Sequence, residues 1–387
     1  MTYRGLTWDH PRGYNALAEA ARRVNAGRDD PLIHWDKQPL EGFESAPIAD
    51  LAAQHDLIVL DHPHIGEAVA EACLIPLDDL YAPEQIAAWE VESVGPSFAS
   101  YQWAGKTWAL PLDVATQVVA RRADRIAEAP RSWDEIEDMA RQVPVALSLG
   151  GPHAFLTLIS IAAGAGAVAG GADLLPDDVA GPALARMHRL AEHSPSGSEE
   201  LNPIGLLEAM ASTGAGTGAI AMAPLIFGYV TYARAGHAAH LVAFSDTPRA
   251  VGGIGGVLGG TGIGFSRRAR PSQELLAHIA WLMAPETQTH FFPAFGGQPS
   301  ARSAWCDAGV NAEWGGFYTN TLATAEHALL RPRFDGYIAF QTAAAERIRH
   351  ALSTREDEVK TLDALRALWR QARAAARGDI DPQRTTA

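Results

Sequence analysis

The chain has 387 residues, more than one ordinary hydrophobic core, so its length predicts two domains. Its composition, 47% hydrophobic and 20% charged, is that of a globular protein and excludes general disorder. The formal net charge of −14 argues against a nucleic-acid surface, because phosphate binding requires clustered lysines and arginines.

The N-terminal part of the chain alternates between predicted strands and predicted helices. Apolar runs at 4–8, 32–35 and 57–60 are typical of strands, and apolar residues recur at helical spacing over 14–24 and 47–53. This β-α-β-α-β order favours a right-handed parallel sheet. We therefore expect the carboxyl ends of the three strands to lie at one edge.

The first and third of these strands both run into the tripeptide Asp-His-Pro. Ligands of open α/β sheets bind beyond the carboxyl ends of the strands. The two strand ends therefore predict a cleft for a small polar solute. The candidate residues at these two ends are Trp8, Asp9, His10, Asp61, His62 and His64.

Other roles stay open for these residues. Trp8 could be a core residue and Asp9 a helix cap. The His-x-His pair, with Asp61 and His10, has the side-chain types of a zinc site, although so short a pattern is common. We rank solute binding first, hydrogen bonding to the loop backbone second and metal binding third, and we expect no metal or other cofactor.

The next part of the chain predicts a hairpin and a passage into the second domain. Residues 104–106 are typical of a turn between aromatic-rich strands, and 114–121 is an extended strand that would cross between domains. Asp113 stands at this crossing, where it would either face the cleft or satisfy the hinge backbone. Ser132 and Glu135 form a capping box at the start of a helix.

Short strands and glycine-rich turns follow in the second half. A turn is predicted at 214–218, a buried strand at 219–222 and a helix-like segment at 225–235, in which Tyr229 suits a half-wet cleft. The run 251–264 holds eight glycines but neither a dinucleotide-binding nor a P-loop pattern. We interpret it as hinge and cleft wall, with Gly260 and, from a later glycine loop, Gln298 as cleft candidates.

Three of the arginines after residue 300 bear on ligand binding. Arg302 would suit a ligand carboxylate, although a surface salt bridge is favoured, and Arg331 and Arg333 are interpreted as surface charge. Apolar residues at helical spacing over 356–377 predict a last helix. From Gly378 onward the chain is polar and expected to fray.

Six short segments carry a resemblance to a known family. They are residues 105–113 (GKTWALPLD), 130–135 (PRSWDE), 218–222 (GAIAM), 259–266 (GGTGIGFS), 285–288 (PETQ) and 296–300 (GGQPS). In this order they resemble the extracellular solute-binding proteins of ABC importers, family 1, the sugar-binding type. The segments are spread over most of the chain.

The resemblance implies a two-lobe α/β fold of the periplasmic-binding-protein type II, with a hinge between the lobes. The first lobe would comprise about 1–112 plus 261–320, and the second 113–260 plus part of 321–387. The resemblance also implies an aromatic platform from the second lobe, for which Tyr229 is the candidate. ABC permease subunits are the implied partners, and we expect a monomer.

We expect hinge-closing binding of a small polar solute, a sugar, polyol or carboxylate, for an ABC importer rather than catalysis. The alternative is a cytoplasmic enzyme or sensor that retains this fold and uses the Asp-His pairs for acid–base chemistry. Neither a signal peptide nor a transmembrane run of about 18 apolar residues is visible. The protein would be periplasmic or extracellular if a leader has been removed, and cytoplasmic if Met1 is the native start.

Overall fold

The computed structural model describes residues 2–212 and 220–377. The strands are β1 (Tyr3–Trp8), β2 (Ile33–Gln38), β3 (Leu57–Leu60), β4 (Leu74–Ile75), β5 (Gln102–Trp103), β6 (Lys106–Thr107), β7 (Leu110–Arg122), β8 (Met222–Phe227), β9 (Val242–Ser245), β10 (Arg249–Ala250), β11 (Gly253–Ile254) and β12 (Leu258–Ser266). The turn predicted at 214–218 and the polar tail from Gly378 lie outside the described residues.

The helices make up about half of the described residues outside these strands. They are α1 (Pro11–Asn25), α2 (Leu40–Ser45), α3 (Ile48–Gln54), α4 (Ile65–Ala70), α5 (Pro83–Glu92), α6 (Trp133–Ala140), α7 (His153–Gly164), α8 (Asp177–Ala191), α9 (Pro203–Ala211), α10 (Gln273–Leu282), α11 (Phe292–Ala294), α12 (Arg302–Cys306), α13 (Ala308–Glu313), α14 (Phe317–Glu326), α15 (Tyr337–Thr354) and α16 (Glu358–Ala375). None of the helices within 2–212 and 220–377 has the length and apolar character needed to cross a membrane.

One sheet contains most of the strands, in the order β2-β1-β3-β12-β7-β8. β1 pairs in parallel with β2 and with β3, which confirms the parallel arrangement predicted for the first three strands. β12 then runs antiparallel to both β3 and β7. Because β1 and β3 are parallel neighbours, the residues that follow Trp8 and Leu60 lie at the same edge of the sheet.

Strand β7 is long enough to take part in both halves of this sheet, the half that contains β1–β3 and the half that contains β8 and β9. Residues 110–116 pair with β12, next to β3, whereas residues 117–122 pair with β8 and β9. The register between β7 and β12 shifts once, at Thr261/Gly262. β7 is therefore the extended crossing predicted at 114–121, and it links the β1–β3 side of the molecule to the β8–β9 side.

Two local sequence signals are confirmed. Ser132 Oγ accepts a hydrogen bond from Glu135 N at 3.2 Å, and the Glu135 carboxylate accepts one from Arg131 N at 2.6 Å, so helix α6 begins with a cap as predicted. β5 and β6 form a hairpin in which Ala104 and Gly105 take φ values of 50° and 72°. Both central residues are left-handed, as a tight hairpin turn requires.

The prediction of a helix-like segment at 225–235 is wrong. β8 continues to Phe227 and pairs with β7, and only Val230–Ala233 forms a short 3₁₀ helix. The β-forming residues Leu225 and Ile226 are fully buried in this pairing, which outweighs the helical spacing of the aromatic residues that follow. Pro224 is tolerated because β8 lies at the end of the strand order.

The interpretation of Arg331 and Arg333 as surface charge is also wrong. Only 3% of Arg331 and 7% of Arg333 is exposed, because the segment between α14 and α15 runs through the interior. Arg331 forms an ion pair with Asp61, and Arg333 donates to the main-chain oxygens of Ala99, Ser100 and Gln102. These partners are more than 200 residues away in sequence, so no local pattern reveals them.

Candidate functional site

The carboxyl ends of β1 and β3 lie beside a small cavity of about 50 Å³. Residues from both halves of the sheet, on either side of β7 and β12, line it. The β1–β3 side contributes Trp8, Arg12, Leu40, Phe43, Glu44 and Asp61. The strands β7 and β12 contribute Ala115, Gly259, Gly260 and Thr261. Beyond β7 the lining residues are His153, Pro203, Phe227 and Tyr229. We call this cavity the cleft.

A buried ion pair forms the floor of the cleft. Arg12 Nε donates to Asp113 Oδ2 at 2.7 Å and Arg12 Nη2 donates to Asp113 Oδ1, so the guanidinium meets the carboxylate with two parallel hydrogen bonds. Only 4% and 5% of the two side chains is exposed. Although burial disfavours its charge, the Asp113 carboxylate raises the pKa of Arg12. Arg12 therefore stays charged and is fixed in place.

Aromatic rings surround the Arg12 guanidinium. Its Cζ atom lies 4.8 Å from the Tyr229 ring centroid and 5.7 Å from that of Trp8, both within cation–π range. The Trp8 ring stacks on the His10 ring at 5.0 Å, and Tyr229 presents its edge to both rings. Phe43 packs against Trp8 at 5.9 Å. The cleft thus combines flat apolar faces with fixed polar groups.

His10 caps helix α1 from the end of β1. Its Nδ1 accepts a hydrogen bond from Arg12 N at 3.1 Å, which leaves the ring proton of the neutral form on Nε2. Burial and the nearby Arg12 charge lower the pKa of His10 to about 4. His10 is therefore neutral at pH 7, and Pro11 follows it at the first helical position, where a missing N–H costs nothing.

The loop after β3 is held by Arg331. Arg331 Nη2 donates to both Asp61 oxygens, at 2.7 and 2.6 Å, and Asp61 Oδ1 also accepts from His62 N at 2.8 Å. Burial by itself raises the pKa of Asp61, but the Arg331 charge and the His62 hydrogen bond outweigh it and lower that pKa. Asp61 is thus a charged group of fixed orientation at the cleft.

The two histidines of this loop lie behind the cleft. The His62 ring is 1% exposed and meets the edge of Tyr101, and its Nε2 accepts from Arg331 N at 3.4 Å. His64 is 2% exposed, and both of its ring nitrogens lack hydrogen-bond partners within the described part of the chain. Across residues 2–212 and 220–377 no cluster of three His, Cys, Asp or Glu side chains could hold a metal ion.

The remaining predicted residues take three different positions. Asp9 is exposed and its carboxylate pairs with Lys37 Nζ at 2.7 Å. Gln298 is fully buried; its Nε2 donates to the main-chain oxygens of Val114 and Gly228, which joins β7 to the segment that carries Tyr229. Gly260 lines the cleft with φ of +104°. A Cβ there would lie 2.2 Å from the Asp113 carbonyl oxygen, so only glycine fits.

A family profile identifies the group to which this chain belongs. The sequence profile of the bacterial extracellular solute-binding proteins matches residues 43–317. The chain is a member of this family. No curated protein sequence matches it.

Solved structures of solute-binding proteins match the chain over almost its whole length. The ABC transporter solute-binding protein of Agrobacterium radiobacter K84, in complex with ribitol, has a TM-score of 0.78 at 19% identity and covers 96% of this chain and 98% of its own. Maltose-bound MalE3 of T. maritima has a TM-score of 0.77 at 17% identity, with 95% and 99% covered. The D-mannitol-bound protein of Agrobacterium vitis S4 has a TM-score of 0.73 at 16% identity, with 97% and 100% covered.

These similarities confirm the predicted two-lobe α/β fold with a hinge between the lobes, and the family match confirms the resemblance on which it rested. The cleft has α2 on one side and α7 on the other. Glu44 of α2 and His153 of α7 face each other across it, 3.4 Å apart between Oε1 and Nε2.

Sequence reasoning missed several cleft residues. Arg12 follows Asp9-His10-Pro11 directly, and this position next to the end of β1 is the sequence signal that could have identified it. Phe43, Glu44 and Thr261 carry no local signal, because only the tertiary fold brings them to the cavity. His153 stands where a glycine–proline turn starts a helix, which could have marked it as a residue facing the cleft.

Proposed function

We propose that the cleft of this solute-binding protein binds a small, neutral, polyhydroxylated solute, a polyol or a sugar, and delivers it to an ABC permease. The observation that carries this proposal is the charge pairing of the cleft. Arg12 in the cleft is matched by the Asp113 carboxylate, and the aromatic rings of the cleft provide flat apolar faces around that pair. Of the predicted solute classes, sugar, polyol and carboxylate, the proposal keeps the first two and excludes the carboxylates.

The charges of the cleft disfavour an anionic solute. Arg12 is bound by Asp113, and Asp61 is bound by Arg331, so neither pair has spare charge. Glu44 adds a further carboxylate beside His153. A carboxylate or phosphate would enter next to these acidic groups with no free lysine or arginine among the cleft residues to bind it, and desolvating it there would be costly.

The same groups suit hydroxyl groups. Carboxylate oxygens accept hydrogen bonds and guanidinium N–H groups donate them, so paired charges can still bind the hydroxyls of a polyol. Tyr229 adds a hydroxyl for which the described residues provide no hydrogen-bond partner, although the atom is not fully enclosed. The faces of Trp8, Phe43 and Tyr229 would pack against the C–H surface of the solute.

Access to the cleft requires the lobes to move. Its volume of about 50 Å³ is far below the roughly 300–1,000 Å³ that small-molecule pockets occupy. The lobes are joined through β7 and β12, where Gly260 sits in a backbone conformation open to glycine. We place the hinge near Asp113 and Gly260, and solute binding would stabilise the closed arrangement.

Family membership supports the rest of the assignment. Solute-binding proteins with bound ribitol and D-mannitol share this fold, which makes these two polyols the first compounds to test. Family membership also supports permease subunits as partners and a periplasmic or extracellular location. The acid–base alternative lacks support, because Asp61 is fixed by Arg331 and Asp9 is exposed and paired with Lys37.

The test is isothermal titration calorimetry of the purified protein with ribitol, D-mannitol, maltose and, as an anionic solute, citrate. We expect one polyol or sugar to bind at one site and to be recovered unchanged, and citrate not to bind. Glu44→Gln should weaken the binding roughly tenfold, because it removes a charged hydrogen-bond acceptor. Glu41→Gln, an exposed residue of the same helix α2, is the matched control and should stay within about twofold.

Two outcomes would contradict the proposal. Binding of citrate in preference to every polyol and sugar would mean that the paired charges of the cleft do not exclude anions. Chemical conversion of the bound compound would instead favour an enzyme.

A further inference from the structure

A second cavity, of about 800 Å³, lies outside the cleft. It shares no lining residue with the cleft. Its walls come from Trp103 of β5, from residues 168–171 and 173–176 between α7 and α8, from 329–334 between α14 and α15, and from α16. We call this cavity the groove. It therefore combines segments that are far apart in the sequence.

Arg333 is a buried cation in the wall of the groove without a carboxylate partner among the described residues. Its Nη1 donates to the main-chain oxygens of Ala99, Ser100 and Gln102, at 2.7, 2.8 and 3.1 Å. Its Nε and Nη2 have no hydrogen-bond partner in residues 2–212 and 220–377, yet neither belongs to the fully enclosed polar atoms. These two N–H groups are therefore available to a bound molecule.

Burial lowers the pKa of Arg333 to about 10, so it remains charged at neutral pH. Carbonyl dipoles alone offset this charge, and an anion would offset it more fully. The guanidinium also lies 5.4 Å from the centroid of the Trp103 ring, which keeps it in one orientation.

Two further arginines line the groove. Arg331 has an enclosed Nε without a partner in the described part of the chain. Arg373 lies over the Trp369 ring, 5.5 Å from its centroid, and donates to the Gly171 oxygen. Among the described residues that line the groove, the one carboxylate is that of Asp173, which is exposed. Arg331 is paired with Asp61, but Arg333 and Arg373 still outnumber Asp173, so the lining of the groove is positive in a protein whose net charge is −14.

Apolar surface makes up much of the remaining wall. It comes from Trp103, Leu174, Leu330, Phe334 and Trp369. A volume of about 800 Å³ is within the range of small-molecule sites. Such a site suits a molecule with an acidic group at one end and an aromatic or aliphatic body.

We propose that the groove is a second binding site of this protein, for an amphiphilic organic carboxylate whose acid group is bound by Arg333 and whose body packs between Trp103 and Trp369. This site does not depend on which solute occupies the cleft. The carboxylate would accept hydrogen bonds from Nε and Nη2 of Arg333, the fork geometry that arginine offers to a carboxylate.

The test is isothermal titration calorimetry with 2-naphthoate, and with 2-naphthamide as a neutral compound of the same shape. We expect one saturable site for the carboxylate and at least tenfold weaker binding of the amide, because only the carboxylate matches Arg333. Arg333→Gln should weaken 2-naphthoate roughly tenfold.

Because Arg333 is buried, Arg333→Gln could lower binding by disturbing the fold. A second variant, at an exposed residue on the rim of the groove, tests the site without this risk. Val168→Asp places a negative charge at the rim, on a side chain whose residue is 67% exposed, and should weaken 2-naphthoate about threefold at low salt. Val359→Asp, at a residue that is 66% exposed and does not line the groove, is the matched control and should leave the affinity unchanged.

Three results would overturn the proposal. The first is the absence of saturable 2-naphthoate binding, and the second is equal binding of the amide. The third is weakening by Glu44→Gln instead of Val168→Asp, which would place the probe in the cleft. A failure of polyols to bind the cleft would leave this result untouched, so the two proposals are tested separately.

Discussion

The cleft and the groove both contain a buried arginine, but they neutralise it differently. In the cleft, Arg12 meets the Asp113 carboxylate with two hydrogen bonds. In the groove, the hydrogen bonds of Arg333 within the described part of the chain go to main-chain carbonyl oxygens and not to a carboxylate. A buried arginine therefore does not by itself select an anion, because its partner decides whether charge is left for a ligand.

One ion pair connects the two cavities. Arg331 lines the groove, and Asp61, to which it is bound, lines the cleft. A change at this pair would therefore affect both cavities, whereas changes at Arg12 or Arg333 affect one each.

The largest expected effect is on the cleft ion pair. Arg12→Met would leave the buried Asp113 carboxylate without its cation, so we expect the free energy of unfolding in urea to fall by about 3–5 kcal/mol. Arg4→Met is the control, because its ion pair with Asp36 is 55% and 30% exposed, and its cost should stay below about 1 kcal/mol. Equal costs for the two variants would mean that burial does not distinguish the cleft pair from a surface pair.

Much of the fold was predictable from the sequence, because the spacing of hydrophobic residues and the residues of tight turns determine the structure of their own segment. The parallel strands β1–β3, the hairpin turn at Ala104 and Gly105 and the cap at Ser132 all follow from a few neighbouring residues. The error at 225–235 arose because pairing with β7 is a tertiary effect, which outweighs local helical spacing.

The cleft and groove were less predictable, because their chemistry depends on pairs distant in sequence. Asp113 was singled out, but its partner Arg12 is 101 residues away and was missed. The sequence predicts surface charge at Arg331, because no neighbouring residue indicates its pairing with Asp61, 270 residues earlier. The ends of the strands predict the position of a cleft from sequence. The pairing of charges, which decides what kind of ligand the cleft can bind, is visible only in the three-dimensional structure.

The next effect concerns the strand that borders the cleft. Gly260→Ala combines a φ of +104° with a Cβ 2.2 Å from the Asp113 carbonyl oxygen, so unfolding measurements should show a loss of roughly 2–4 kcal/mol. Gly253→Ala has a similar φ of +109° but no atom within 4 Å, and should cost about 1 kcal/mol. The difference between the variants measures the close approach of β12 to β7, and no difference would contradict it.

A third prediction concerns His62, which lies at the connection between the two cavities. Burial and the Arg331 charge lower the pKa of His62 to about 4. The unfolded chain takes up a proton below about pH 6.5 while the folded ring stays neutral, so stability falls as the pH is lowered from about 6.5 to 4. Each such histidine contributes up to about 1.4 kcal/mol per pH unit within this window.

His62→Gln should therefore reduce the loss of stability between pH 6.5 and 4 by roughly 2–3 kcal/mol, measured by urea unfolding at several pH values. His10 and His278, whose pKa values burial also lowers to about 4, keep part of the slope in this variant. His34→Gln, at a side chain that is 69% exposed, is the control and should keep the wild-type slope. An unchanged slope in His62→Gln would mean that its ring can protonate in the folded protein.

The smallest expected effect is a change in solute affinity at Tyr229, and it tests the cleft proposal itself. Burial raises the pKa of Tyr229, so its hydroxyl stays protonated and can donate to a polyol. Tyr229→Phe should weaken the polyol found by calorimetry about two- to tenfold and leave stability nearly unchanged, because the hydroxyl has no partner among the described residues. Tyr337→Phe removes another unpartnered hydroxyl, outside the cleft, and should not change the affinity. If both variants bind equally well, the solute does not reach Tyr229, and the aromatic platform must come from Trp8 and Phe43 alone.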